Sequence, residues 1–408
     1  MTTFYEFIMF EVKFSALQPE MRLLLACSRA SPLEEDSERI EKLSCDPIDW
    51  GAFMRLVDRH RVYPLVYRNL SRHVGNDVPK DVLVSLRNRF EKNTRRGLEL
   101  TAELVRFIKL FEQDGIPVMA LKGPSLALQV YGDLGLRHAG DLDLLVHPDY
   151  FEGVDQMLCR NGYRRTNSPF FLSPRKQRYS EQMFYHSNYL RNDGRVSVEP
   201  HWSLVRNSHL FPMDIDQLWT RQKTTMIAGT AIKTLPLEET VLYLCMHGAT
   251  HVWLRLFWLC DLAQVLNKND SVDWTGLMAR ATELGVQRPL AQGLVLSYLL
   301  LGSHLPDPVR AYAERERVMP RLIKAGLNGI LMRLPDSGAR TARVLMHEKL
   351  NEIKLRRELR YKLHCLSTSL TSSNDWNVLR LPDVLFPLYF VLRPFLWCWR
   401  WYGKKLMS

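Results

Sequence analysis

The chain has 408 residues, of which 46% are hydrophobic and 24% charged; these values exclude wholesale disorder and leave room for two or three domains with ample cores. Lys and Arg outnumber Asp and Glu by 55 to 44, a formal charge of +11, which suits anionic partners (nucleotide phosphates, nucleic acid or a membrane surface) without choosing among them. No uncharged run is long enough to span a bilayer, and the first twenty residues, with Glu6, Glu11, Lys13 and Glu20 among them, lack the basic start and apolar stretch of a signal peptide.

In chain order, apolar spacing predicts helices over Leu17–Ala30, Trp50–Leu70 (broken at Pro64) and Val82–Leu110, the last with Leu98, Leu100, Leu104, Phe107 and Leu110 on one side. The turn signal Asp114-Gly115-Ile116-Pro117 introduces a short strand, Val118–Leu121. A helix over Ser125–Tyr131, a strand over Asp141–Val146, a helix over Tyr150–Gly162 and a half-buried strand over Val196–Trp202 follow. After Pro236 the pattern is helical again: Glu238–Leu266, Trp274–Leu284 and Pro289–Leu301. The fold class expected is α+β, with a helical region at 1–112, an α/β core at 113–236 and a helical region with a basic, aromatic tail at 237–408.

The stretch richest in chemistry is Lys122-Gly123-Pro124-Ser125, followed by Asp141-Leu142-Asp143-Leu144-Leu145-Val146. Residues two apart on a strand point the same way, roughly 7 Å apart along the chain. Asp141 and Asp143 therefore share one face while Leu142 and Leu144 enter the core. Two such carboxylates suit a pair of Mg²⁺ ions roughly 4 Å apart, the arrangement that transfers phosphoryl or nucleotidyl groups. Gly123 followed by Pro124 reads as a helix start, where free N–H groups favour an anion. Gly123 allows a phosphate to approach the backbone, Ser125 offers a hydroxyl and Lys122 a charge. The bland alternatives are a solvated acid pair and an ordinary turn. Together these segments, with Tyr131-Gly132-Asp133, Leu136-Arg137 and Gly140 between them, resemble the signature of the uncharacterised bacterial nucleotidyltransferase family within the DNA polymerase β-like superfamily. The resemblance extends to Asp49-Trp50 and His60-Arg61-Val62-Tyr63-Pro64-Leu65 upstream. Downstream it takes in Glu199-Pro200-His201-Trp202 and His247 to His251 with Trp258 and Asp261-Leu262.

The resemblance implies a nucleotidyltransferase-type mixed sheet and an enzyme using a nucleoside triphosphate with Mg²⁺ or Mn²⁺. Asp141 and Asp143 would be the first two metal ligands. Glu199 would be the third and would double as the base, since Ser197, Glu199 and His201 share a strand face. Lys122, Gly123, Ser125 and Arg137 would meet the nucleotide. Pro124 departs from the superfamily pattern and lacks an N–H. For Arg137 the alternative is a surface ion pair with Asp133.

If Glu238–Leu266 is one helix, His247, His251, Arg255, Trp258 and Asp261 lie within about 120° of arc. Three readings stand: a zinc pair at His247 and His251, although Gly248 replaces the Glu of HExxH; core histidines bonded to Asp261; or a cleft wall with His201, Arg255 meeting phosphate and a histidine carrying a proton. The helix Arg340–His364 carries eight Lys or Arg against three Glu, with Leu345, Leu355, Leu359 and Leu363 expected inward. Residues 384–405 are aromatic and basic; packing on the helical domain is favoured over a peripheral membrane contact. The seven cysteines form no CxxC pair, and Cys27, Cys245 and Cys260 sit in apolar runs, so a reducing cytoplasm is expected. No nucleic-acid motif is present. The acceptor is not encoded: peptide, protein, sugar, tRNA or small molecule. The rival functions are a non-catalytic nucleotide-binding or partner subunit, and a peripheral membrane protein acting on a lipid-linked or glycan substrate.

Overall fold

The N-terminal helices are α1 (Pro19–Ala26), α2 (Glu34–Ser44), α3 (Trp50–His60), α4 (Tyr63–His73) and the long α5 (Lys80–Gln113). Asp49 caps α3, its carboxylate accepting from Ala52 N at 2.9 Å. Arg61, at φ 57°, ends that helix so that Pro64 falls in the first turn of α4. On α5, Leu100, Leu104, Phe107 and Phe111 are buried, but Leu98 points to solvent, contrary to expectation. The computed structural model describes residues 17–29, 34–73, 77–166, 185–268, 272–331, 342–369 and 373–406. The expected features at residues 1–16, Ala30 and Arg340 lie outside these.

The centre is a seven-stranded mixed sheet in the order β3-β4-β5-β2-β1-β7-β6. Its strands are β1 (Val118–Ala120), β2 (Leu142–Val146), β3 (Tyr163–Arg165), β4 (Tyr189–Arg191), β5 (Ser197–His201), β6 (Lys223–Ile227) and β7 (Thr230–Thr234). Among the described residues, α6 (Phe151–Arg160) and α7 (Ile215–Arg221) lie between strands, with shorter helical turns. β2 runs antiparallel to β1 and parallel to β5, so the strands bearing the acids are neighbours. Leu142, Leu144 and Val146 join Leu100, Leu104 and Phe107 in one apolar layer. Leu145 and Met119, on the other face, join the core of the surrounding helices. Period-2 alternation thus puts Asp143 on the face away from α5.

The C-terminal helices are α8 (Leu237–Thr250), α9 (Leu256–Lys268), α10 (Trp274–Glu283), α11 (Gln287–Leu301), α12 (Asp307–Arg315), α13 (Met319–Leu331), α14 (Ala342–Glu352), α15 (Leu359–Ser367), α16 (Ser373–Val378) and α17 (Leu388–Leu406). The expected single helix Glu238–Leu266 is two helices. Val252 and Trp253 take φ of 44° and 54° between them, and Trp253 N donates to Gly248 O at 2.9 Å. Gly248 is required there, because a Cβ on it would lie 2.3 Å from the Trp253 ring. The expected basic helix Arg340–His364 is likewise divided into α14 and α15. Leu355 is buried, whereas Leu359 and Leu363 are exposed, because α15 turns Tyr361 and Cys365 inward instead. Cys27, Cys245 and Cys260 are buried free thiols, as expected.

Candidate active site

Parallel pairing of β2 with β5 sets Asp143 opposite Glu199 and Leu145 opposite His201. Asp141 immediately precedes β2. Three acids from two separate segments are thereby brought near one another at one end of the sheet. The backbone after β1 closes over them: Leu121 N donates to Asp143 O at 3.0 Å. Gly123, at φ 72°, passes so near that a Cβ on it would sit 3.1 Å from Asp141 O. Glycine is required here both for the left-handed backbone and for the close approach.

Two cationic or protonated groups answer Asp143. Lys122 Nζ lies 3.2 Å from Asp143 Oδ1, and His201 Nε2–H donates to the same oxygen at 3.1 Å. Burial disfavours the Asp143 carboxylate, but Lys122 and the His201 hydrogen bond outweigh it and hold the group well below the usual carboxylate range. Burial likewise penalises the Lys122 ammonium, and Asp143, Tyr243 and Asp141 outweigh that, keeping it charged. The other two acids are driven the opposite way. Burial raises Asp141, with Asp143 adding to it. Glu199 is pushed up to about 8, first by burial and then by Asp141 and Asp143. The site is short of positive charge.

A divalent cation fits that deficit. Glu199 Oε2 lies 3.7 Å from His186 Nε2 and 3.8 Å from His201 Nε2, and one ligand atom from each of these three residues falls within 4.8 Å of the others. Carboxylates in this number suit Mg²⁺ or Mn²⁺, and the imidazoles extend the set towards the later first-row ions. His186 follows Tyr185, whose ring packs on both imidazoles with centroids 4.3 and 5.3 Å away. The sequence pattern gives no sign of His186, which forms a lone bridge with His201 between short strands.

The phosphate turn differs from expectation. Pro124–Leu126 is a single helical turn that widens into a π-turn over Ala127–Tyr131, too short for a helix dipole of any weight. The Ser125 hydroxyl is buried and donates to Lys122 O at 2.9 Å, so its proton is engaged within the turn. Arg137 is buried, not on the surface, and does not pair with Asp133. Its Nε donates to both oxygens of Asp261, at 3.1 and 3.0 Å, and Tyr131 donates to the same carboxylate at 2.9 Å. Asp133 instead accepts from Gly135 N.

The loop leading to Asp141 is shaped by α5, which sequence reasoning did not connect with the site. Buried Asn93 donates to Gly135 O and Arg137 O at 3.0 and 2.9 Å and accepts from Ala139 N at 2.9 Å. Tyr63 stands 3.0 Å from Asn93 Oδ1 and 2.7 Å from His138 Nδ1, while Arg96 holds Gly140 O at 3.0 Å.

The stripe expected on one helix is divided by the break at Val252: the His247, His251 and Trp258 rings still meet, with centroids 5.0, 5.0 and 5.6 Å apart, whereas Arg255 and Asp261 turn elsewhere. Tyr243 and His247 of α8 do face the site: Lys122 Nζ is 5.6 Å from the Tyr243 ring centroid. Burial holds the His247 imidazole well below its ordinary range, with Lys122 contributing. His251 also stands 3.8 Å from Glu348. Arg255 donates to Arg59 O, and Asp261 belongs to Arg137. The histidines are therefore not bonded to Asp261. Among the described residues, the three His, Cys, Asp or Glu side chains whose ligand atoms fall together are His186, Glu199 and His201; the expected ligands Asp141 and Asp143 are outside that group, as are His247 and His251.

A mixed sheet with the acid pair on its central strand, enclosed by helices, is the α+β fold of a nucleotidyltransferase-like protein. The chain belongs to the family described as uncharacterised nucleotidyltransferase, whose model matches residues 46–302. It is accordingly a nucleotidyltransferase, an enzyme that transfers a nucleotidyl group. No curated protein and no solved structure matches it.

Proposed function

We propose that the enzyme moves a nucleoside monophosphate from a nucleoside triphosphate to an acceptor hydroxyl or phosphate, releasing pyrophosphate. The observation that carries this reading is the register of Asp143 with Glu199 beside Asp141 and the Gly123 backbone. Asp141, Asp143 and Glu199 would hold Mg²⁺ or Mn²⁺, which when bound supplies charge to the triphosphate oxygens. The acceptor oxygen attacks the α-phosphorus, a new P–O bond forms, and the bond to the pyrophosphate oxygen breaks. Glu199, the more exposed of the strand acids, takes the acceptor proton. Lys122, whose ammonium lies 3.2 Å from Asp143 Oδ1, would meet a phosphate oxygen of the triphosphate. Gly123 lets the triphosphate lie against the backbone, and His247 with Tyr243 forms the opposing wall. Arg137 acts on the site indirectly, by bracing the loop before Asp141 through Asp261.

Pyrophosphate release from each nucleoside triphosphate with Mg²⁺, assayed on wild type and on Asp141→Asn, Asp143→Asn and Glu199→Gln, tests this. Each variant should lose roughly a hundredfold or more of the rate with an unchanged circular dichroism melt. Release by Asp143→Asn as fast as by wild type would refute the assignment. Nucleotide binding without turnover would favour a non-catalytic partner subunit.

A further inference from the structure

The last helix has two unlike sides. Taking 100° per residue, Leu388, Val391, Phe395 and Trp399 of α17 fall within about 80° of arc. Tyr389 and Leu396 lie about 60–80° beyond that arc, where they are buried with Trp376 and Phe386 in a small core of their own. The first set has no such cover: Val391, Phe395 and Trp399 are 68, 71 and 68% exposed, and Val384, in the turn before the helix, is 85% exposed. Exposed apolar residues are ordinary singly, but an aligned row of large ones marks a surface for another phase or molecule.

Charge identifies the occupant. Residues 340–408 hold thirteen Lys and Arg against five Asp and Glu, so +8 of the chain's +11 resides in its last sixth. Two copies of so basic a segment repel each other, whereas an anionic surface attracts it. No helix among the described residues is long and apolar enough to cross a membrane, so the helix would lie on a bilayer. The segment also falls beyond residues 46–302 matched by the family, so this inference does not depend on the nucleotidyl-transfer reading.

We propose that α17 docks on the surface of an anionic phospholipid bilayer, with Val391, Phe395 and Trp399 entering the boundary between headgroups and acyl chains and the net positive charge of residues 340–408 drawing the segment to the headgroups. An apolar face on a segment of net positive charge gives the two signals that stable, reversible attachment needs. Where the sequence favours packing on the helical domain, the Tyr389 side packs instead against Trp376 and Phe386 of the same C-terminal segment.

Flotation of the full-length enzyme with phosphatidylcholine vesicles, with and without phosphatidylglycerol, provides the test. The enzyme should float with the phosphatidylglycerol vesicles and bind less as salt rises, the Debye length falling from about 10 Å at 0.1 M to about 3 Å at 1 M. The double variant Phe395→Asp, Trp399→Asp, which spares the buried side, should bind about tenfold less or worse while keeping the wild-type melting temperature. A second pair, Val384→Asp with Val391→Asp, should do the same. Absence of flotation, equal flotation with phosphatidylcholine alone, or flotation unaffected by both pairs would overturn the proposal. So would an enzyme that is dimeric by sedimentation and becomes monomeric in these variants.

Discussion

At Asp143 a single carboxylate receives both Lys122 and His201 on one oxygen, while Glu199 and Asp141 are driven towards protonation by burial and by Asp143. Removing the ammonium should matter for nucleotide more than for turnover. Lys122→Gln is expected to raise KM for the triphosphate about tenfold, the scale of one charge-assisted contact, with a smaller change in kcat. A kcat loss at constant KM would place Lys122 elsewhere in the reaction. The imidazoles predict ion preference. Nitrogen ligands favour Mn²⁺ over Mg²⁺, so His186→Ala should weaken Mn²⁺ binding, measured by electron paramagnetic resonance of the free ion, and leave Mg²⁺ activation near wild type. Equal weakening of both ions would show that His186 serves the fold and not the ion.

Between elements, the decisive feature is the break separating α8 from α9. Gly248 admits the Trp253 ring into the core beside Gly293 and Gly326, whose Cβ positions also crowd that ring. Gly248→Ala places a methyl 2.3 Å from it and should cost about 1–3 kcal/mol, the range for overpacking a filled core; a urea midpoint indistinguishable from wild type would contradict this. The same break explains what the sequence conceals. Helical periodicity continues through His251–Arg255, so the stripe of His247, His251, Arg255 and Asp261 looks continuous, and the left-handed backbone at Val252 and Trp253 carries no glycine or proline to announce it. Strand alternation is local, so Asp143 and Glu199 fall on the faces their neighbours dictate, and Asp141 sits just before the strand. Register between distant strands is not local, so the pairing of Asp143 with Glu199 required coordinates. His186 and Asn93 lie in segments whose patterns speak only of a loop and of an amphipathic helix. The β6–β7 hairpin turns through Ala228 and Gly229, both at positive φ, a signal weaker than the usual Asn-Gly.

Across the whole molecule, Glu316 ties the C-terminal segments to the helical core. It accepts from Arg288 Nε at 3.1 Å, Arg357 Nε at 3.0 Å and Val318 N at 3.1 Å. Arg288 in turn donates to Lys354 O and Arg356 O. Burial raises the Glu316 carboxyl, but these donors outweigh it and lower it to about 2. A carboxylate depressed in the folded state stabilises fully above its unfolded value, about 4.3, and that contribution fades as pH falls towards about 2. The urea midpoint of wild type should therefore exceed that of Glu316→Gln by a constant margin near neutrality and by a shrinking one below about pH 4.3. A margin independent of pH would contradict the linkage. The proposed chemistry rests on one meeting of segments, and crystals soaked with Mn²⁺ and a non-hydrolysable nucleoside triphosphate probe it most directly. Anomalous density should place manganese on the carboxylates of Asp141, Asp143 and Glu199, with Lys122 withdrawn from Asp143 and turned to phosphate. Manganese bound elsewhere, with Lys122 still seated on Asp143 and the triphosphate away from Gly123, would contradict it.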